Sequence, residues 1–134
     1  MFKTSLIVFS SLKAGIISDS FMREVYIISR FHGKVNRGVE TYVGELAKRL
    51  PATIIASPWP VLFKPSGSIV ISNNGRWDSI LVRLITWLKG QKLIIPGQSG
   101  LGFDDRLNLY CFPDVFVSLT TAQNSWAQKI NPFV

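Results

Sequence analysis

The chain has 134 residues, 47% apolar and 17% charged, and carries a net charge of +7. That balance excludes disorder, which needs low hydrophobicity and high charge, and it is enough chain for one domain with a real core. The basic residues stand in ones and twos, which excludes a basic tail and leaves nucleic acid, phosphorylated ligands or an anionic membrane as partners for the positive field.

The first residues, Met1-Phe2-Lys3 and then an apolar stretch over 5–12, faintly resemble a signal peptide. Lys13 interrupts the apolar stretch and no small-x-small cleavage site appears, so secretion is not the expectation. Residues 5–10 read as a short strand. Residues 1–21 read as an N-terminal extension or an extra strand, with the domain itself over 22–134. Residues 25–30 form an apolar run of strand length, rich in β-branched and aromatic residues, and predict a buried strand.

A helix is predicted from 38 to 50. Val39, Tyr42, Val43, Leu46, Ala47 and Leu50 recur at helical spacing, Glu40 sits in the first turn, and Lys48 and Arg49 in the last. Glu45 lies four residues before Arg49, a favourable pairing, and Pro51 stops the ladder. Residues 52–57 predict the next buried strand. Pro58, Pro60, Pro65 and Gly67 make 58–67 a loop, and 68–72 a third strand.

Asn73-Asn74-Gly75 is a turn signal. Helical periodicity resumes over 77–88, with a stripe of Trp77, Ile80, Leu81, Leu84, Ile85 and Leu88 closed by Lys89-Gly90. A fourth strand over 92–95 ends at Pro96-Gly97. The loop 97–106 comes next, then a helical turn over 107–110, a fifth strand over 115–119, and a helix over 121–130. Thr120 or Thr121 caps that helix and Asn131-Pro132 ends it.

Buried strands alternating with helices specify βαβ units. The fold class is therefore α/β, a single Rossmann-like domain with a mostly parallel sheet and helices on both faces. No apolar run reaches the ~18 residues of a spanning helix. Cys111 is the only cysteine, so it forms no intramolecular disulfide, which fits a reducing compartment, and it reads as a small buried hydrophobe.

In such sheets ligands bind outside the carboxyl ends of the strands. The loops on that rim are 31–37, 58–67, 73–76, 97–106 and 120–121. The stretch Arg30-Phe31-His32-Gly33-Lys34-Val35-Asn36-Arg37-Gly38 runs from a strand into a helix start, a natural anion-binding corner. Gly33 and Gly38 match neither the dinucleotide fingerprint nor the Walker pattern. They serve either a tight turn and close helix packing or a phosphate cradle, and spacing alone leaves both open. Lys34 and Arg37 suit phosphate, the guanidinium binding it bidentately. His32, the only histidine, sits where it could contact an acceptor or act as a base.

Residues 37–50, Arg-Gly-Val-Glu-Thr-Tyr-Val-Gly-Glu-Leu-Ala-Lys-Arg-Leu, resemble the Gly-Gly-Val-Glu-Arg-Tyr-Val-x-Glu-Leu-Ala-x-x-Leu signature in the N-terminal domain of family-four glycosyltransferases of the GT-B fold. The preceding strand and His32-Gly33 fit as well. Pro113-Asp114-Val115-Phe116-Val117-Ser118-Leu119-Thr120, with Gln123 and Trp126-Ala127, is similar to that family's Ala-Asp-x-Val-x-Ala-Val-Ser strand and adjoining helix. The resemblance covers residues 22–134.

The resemblance implies the acceptor-side half of a transferase that moves a sugar from a nucleotide-sugar donor to a glycan or lipid-linked acceptor. The donor-binding C-terminal domain, with its paired glutamates, would come from a partner chain or separate subunit, or else this is a truncated product, and this half would be inactive alone. His32 and Asp104 are then the candidate catalytic residues. Gly33, Lys34, Arg37 and Gly38 are the candidate contacts to the donor phosphates. Asn36, Asn74, Gln98, Ser99, Asp105 and Arg106 are the candidate contacts to acceptor or sugar.

This chain departs from the family pattern in two places. Arg37-Gly38 stands where Gly-Gly is usual, and the loop after the fourth strand carries no histidine. Asp104-Asp105-Arg106 also reads as a salt-linked cap for the adjoining helical turn. With one histidine and no Asp-x-Asp, no metal is expected, and no cofactor beyond the nucleotide sugar as substrate.

Helix 77–88 also begins with the bulky Trp77 and carries Val82 and Trp87 off its main stripe. It is either buried by a neighbouring element or the missing half, or it lies on an anionic membrane near a lipid-linked acceptor. The expected location is the cytoplasm, peripheral at the inner face of the membrane. The competing reading is a non-catalytic Rossmann-like binding or scaffolding module with a membrane- or protein-facing apolar helix. Nucleic-acid binding rests on charge alone, without a basic stripe interleaved with aromatics, and is not expected.

Overall fold

A computed structural model describes residues 23–30, 33, 38–73, 77–97 and 102–134. The order is β1 (Val25–Ile28), α1 (Gly38–Arg49), β2 (Ala52–Ile55), a 3-10 turn (Trp59–Phe63), β3 (Ile69–Ser72), α2 (Trp77–Lys89), β4 (Lys92–Pro96), α3 (Phe103–Tyr110), β5 (Val115–Val117) and α4 (Thr121–Ile130). The strands form one five-stranded sheet in the order β2-β1-β3-β4-β5, and every pairing is parallel. This is an α/β, Rossmann-like sheet with helices on both faces.

Period-two alternation divides the strand residues between two cores. Val25, Ile27, Ile69, Ile71, Ile94 and Val117 face the side covered by α1, where Val43, Leu46 and Leu50 pack. Ile28, Val70, Leu93, Ile95 and Phe116 face the other side, against Val61 of the 3-10 turn, Val82 and Ile85 of α2, Leu109 of α3 and Ala127 of α4. Each fully buried aliphatic chain contributes about 1.5–3 kcal/mol, so the two faces together fix the strand register.

Helix α1 forms as its stripe dictates, with Tyr42 and Ala47 packed beside the buried trio. Glu45 pairs with Lys48, Nζ to Oε1 2.9 Å. The hydrogen bond and charge of Lys48 hold the Glu45 carboxyl below its ordinary range, and Arg49 adds a weaker pull. Thr120 proves to be the cap of α4, its Oγ1 accepting from Gln123 N at 3.1 Å.

Three segments differ from expectation. Residues 59–63 wind into a 3-10 turn that buries Val61, although Pro58 and Pro60 mark a loop. Pro is compatible with a helical first turn, and it stops only what lies upstream. Helix α3 begins at Phe103, with Gly102 as its cap and Asp104 and Asp105 in the first turn. It was legible only from 107 because its buried side chains include Asp105 and Asn108, which break the apolar period.

Helix α2 is rotated from the predicted stripe. It buries Ser79, Val82, Ile85 and Thr86, leaving Trp77, Ile80, Leu84, Trp87 and Leu88 exposed. A helix apolar almost all round has no unique face by periodicity, so the sheet's shape chooses one. Among the described residues no helix is long and apolar enough to cross a membrane. The expected strand over 5–10 and the boundary at 21–22 lie outside the described residues.

Candidate functional site

In the order β2-β1-β3-β4-β5 the chain leaves β1 toward β2, then returns to the other side of β1 for β3. The crevice at the carboxyl ends of β1 and β3 is therefore the topological switch point, where open α/β sheets bind ligands. Two helices begin beside it, α1 after β1 and α2 after β3. The helix dipoles give both corners partial positive charge.

Side chains tie the two corners together. Arg30, immediately after β1, places Nη2 at 2.9 Å from Oδ1 and 2.8 Å from Oδ2 of Asp78 in the first turn of α2. The main chains also join there, Asn73 N donating to Ile28 O at 3.1 Å. Ser29 N donates to Ile55 O at 2.9 Å on the other side. The Asn73 carboxamide is buried, and neither Nδ2 nor Oδ1 has a hydrogen-bond partner among the described residues. Ser118 Oγ, directly after β5, is in the same condition. Buried amides and hydroxyls are nearly always satisfied, so these open groups on the rim call for a partner, an ordered water or a ligand.

Gly33 sits in the first loop with φ +78, the left-handed region that a glycine enters at little cost. Gly38 is the first residue of α1, exposed, with nothing within 4 Å of where a Cβ would stand. Close packing therefore does not require a glycine at 38. Glu40 of the same first turn is buried. His32, Lys34, Asn36, Arg37, Asn74, Gln98 and Ser99 lie outside the described residues, so the structure brings together only the anchors of their loops.

At the other end of the rim a chain of hydrogen bonds built around one buried carboxylate links α2, α3 and α4. Asp105 accepts from Gln123 Nε2 at 3.1 Å and from Asn108 Nδ2 at 3.4 Å. Gln123 Oε1 accepts from Leu119 N at 2.7 Å. Asn108 Oδ1 in turn accepts from Ser79 Oγ in α2. Asp105 is 2% exposed, so it reads as the brace that locks α2, α3 and α4 together. Asp104 beside it is half-buried and Arg106 exposed. The three consecutive residues of the expected site segment therefore stand in three different environments.

Gly97, which opens the loop after β4, is pinned under this brace. A Cβ there would lie 2.5 Å from Gln123 Nε2 and 2.6 Å from Phe116 Cζ. Its N–H donates to Val117 O at 2.9 Å. The glycine is a packing requirement that brings the loop flush against β5.

Sequence reasoning missed Asn73 and Ser118. Both are the first polar residue beyond a strand of the parallel sheet. A rule that inspects that one position after every strand would have found them, where composition of the longer loops did not. No protein-family model matches the chain, nor does any curated protein or any solved structure.

Proposed function

We propose that this chain is the acceptor-side half of a glycosyltransferase, one that moves a sugar from a nucleotide-sugar donor to a glycan or lipid-linked acceptor. The donor-binding half would be a second Rossmann-like domain in a partner chain. The observation that carries the reading is positional. The segment that resembles the family-four signature is the helix that starts at the switch point between β1 and β3.

In this reading the corner formed by Gly33, Lys34, Arg37 and Gly38 meets the donor diphosphate as it enters from the partner. Backbone N–H groups at the head of α1 and the Arg37 guanidinium supply charge-assisted hydrogen bonds. His32 is the candidate base for the acceptor hydroxyl, with Asp104 as the second candidate catalytic group. The open Asn73 carboxamide adds a contact for a sugar or phosphate oxygen.

The test is reconstitution with the donor-binding partner. Arg37→Ala removes a charged bond worth about 1.5–3 kcal/mol and is expected to lower turnover by roughly 10–150-fold. Its melting temperature is expected to stay at the wild-type value. Gly38→Val, with open space around it for a larger side chain, is expected to abolish turnover by crowding the diphosphate. Wild-type activity in both variants would remove the corner from the site.

A further inference from the structure

Helix α2 has an inner and an outer face, and the sheet uses only the inner one. The inner face buries Ser79, Val82, Ile85 and Thr86. The outer face is a row of Trp77, Ile80, Leu84 and Trp87, all exposed, the two tryptophans at 80% and 70%. The row advances by three, four and three residues. That spacing makes a narrow seam, the pattern by which one helix packs along another. Leu88 widens the seam. Leu107, Tyr110 and Cys111 of α3 continue it across an open α2–α3 groove of about 380 Å³. Single exposed apolar side chains are ordinary, but a continuous patch of this extent marks an interaction surface.

The seam reads the same in both directions. Trp77 and Trp87 lie five residues to either side of Val82, and Ile80 and Leu84 lie two. A second α2 turned end for end about that point lays Trp77 of each copy against Trp87 of the other. Ile80 then meets Leu84. Aromatic faces aromatic and aliphatic faces aliphatic along the row, the self-complementarity that a two-fold interface requires.

The described charges nearby do not oppose a second copy. Arg83, beside the seam, is bound to Asp114 at 3.2 Å, and Asp114 also lies 3.8 Å from Lys92. Asp78 is held by Arg30, and Lys64 stands 4.9 Å from the centre of the Tyr26 ring. Lys89 follows Ile85 and Thr86 by one turn, on the inner side of the helix. Helix α3 adds Asp104 and Arg106, of opposite sign, around the buried Asp105. Paired charges of this kind select neither an anionic headgroup nor a strongly charged partner. The apolar area suits a dimer. Trp77, Trp87 and Tyr110 together expose roughly 400 Å² per copy. A stable interface hides about 800 Å² per partner, and Ile80, Leu84, Leu88 and the polar rim add to the aromatic share.

We propose that the outer face of α2 is a self-association surface, through which two copies of this chain pack antiparallel about a two-fold axis at Val82. The indoles of Trp77 and Trp87 are its anchors, and the second copy closes the α2–α3 groove. The inference rests on the geometry of α2 and not on the sugar-transfer reading of the switch-point crevice.

Sedimentation velocity of the full chain from about 1 to 100 μM is the first test, and a dimer is expected at the upper end. Leu84→Glu places a carboxylate beside the axis in both copies. It is expected to raise the dimer Kd at least about a hundredfold. Circular dichroism is expected to stay unchanged, because Leu84 is exposed in the single chain. Orientation is read in a Cys111→Ser background. Trp77→Cys chains mixed with Trp87→Cys chains keep one tryptophan pair and are expected to form a linked dimer with oxidised glutathione. Neither variant is expected to link to itself, because its two thiols would stand about 15 Å apart along the helices.

A chain that stays monomeric at about 100 μM overturns the proposal, and the face then belongs to a different protein or to a bilayer. A dimer that Leu84→Glu leaves intact overturns it by placing the interface elsewhere. Self-linking by either variant alone, or no linking in the mixture, overturns the antiparallel packing about Val82.

Discussion

Substituting Gly97 with alanine tests the packing at the brace. The added methyl would stand 2.5 Å from Gln123 Nε2 and 2.6 Å from Phe116 Cζ, well inside van der Waals contact. Phe116 is buried in the core cluster that β5 shares with α2, α3 and α4. Gln123 is held at both ends, by Leu119 N and by Asp105. Overpacking of this kind costs about 1–3 kcal/mol. Displacing Gln123 also strips a donor from a buried carboxylate, which adds roughly 1–3 kcal/mol.

The expected total is about 2–6 kcal/mol, or a fall in melting temperature of roughly 6–24 °C for a domain of this size. Calorimetry with urea unfolding at constant slope would measure it. Phe116→Leu removes the ring atoms from the clash, so Gly97→Ala in that background is expected to cost at least about 1 kcal/mol less than in the wild type. A Gly97→Ala melting temperature within about 2 °C of wild type would refute the reasoning.

Asp105→Ala removes the buried carboxylate that accepts from Gln123 Nε2 and Asn108 Nδ2, and is expected to lower the urea-derived stability by about 2–4 kcal/mol. Burial raises the Tyr42 hydroxyl and the Cys111 thiol above their ordinary values. Above those values the unfolded chain has lost protons the folded chain retains, so stability is full at neutral pH and falls as pH rises past about 9. Tyr42→Phe/Cys111→Ala is expected to flatten that alkaline decline in thermal unfolding. At neutral pH the same raised thiol is expected to react with iodoacetamide more slowly than a free cysteine.

The sheet was legible because each strand is a short apolar run bounded by Pro, Gly or Asn, and because α1 carries one clean stripe. The orientation of α2 was not. Ser79 and Thr86 are buried while Trp77 and Leu84 are exposed, an inversion of the usual preference that only the surrounding shape decides. The start of α3 was hidden for a related reason, since its inward residues are polar and satisfied by one another. Cys111 was expected in the core, yet it is half-exposed in the wall of the α2–α3 groove.

At the site, the switch point followed from strand order, which local pattern does not contain. Sequence placed chemistry in Asp104-Asp105-Arg106 as a unit. The structure separates them, because a helix turns consecutive residues about 100° apart. The residues left open on the rim, Asn73 and Ser118, were single letters next to strands, with no motif to announce them.

We propose that this chain forms half of a sugar-transfer site. The direct measurement is co-expression with a candidate donor-binding chain, a Rossmann-like domain bearing two spaced glutamates, and then a screen of labelled nucleotide sugars. Transfer to a glycan or lipid-linked acceptor is expected from the pair and from neither chain alone. Tight binding and turnover of a nucleotide sugar by this chain alone would contradict it.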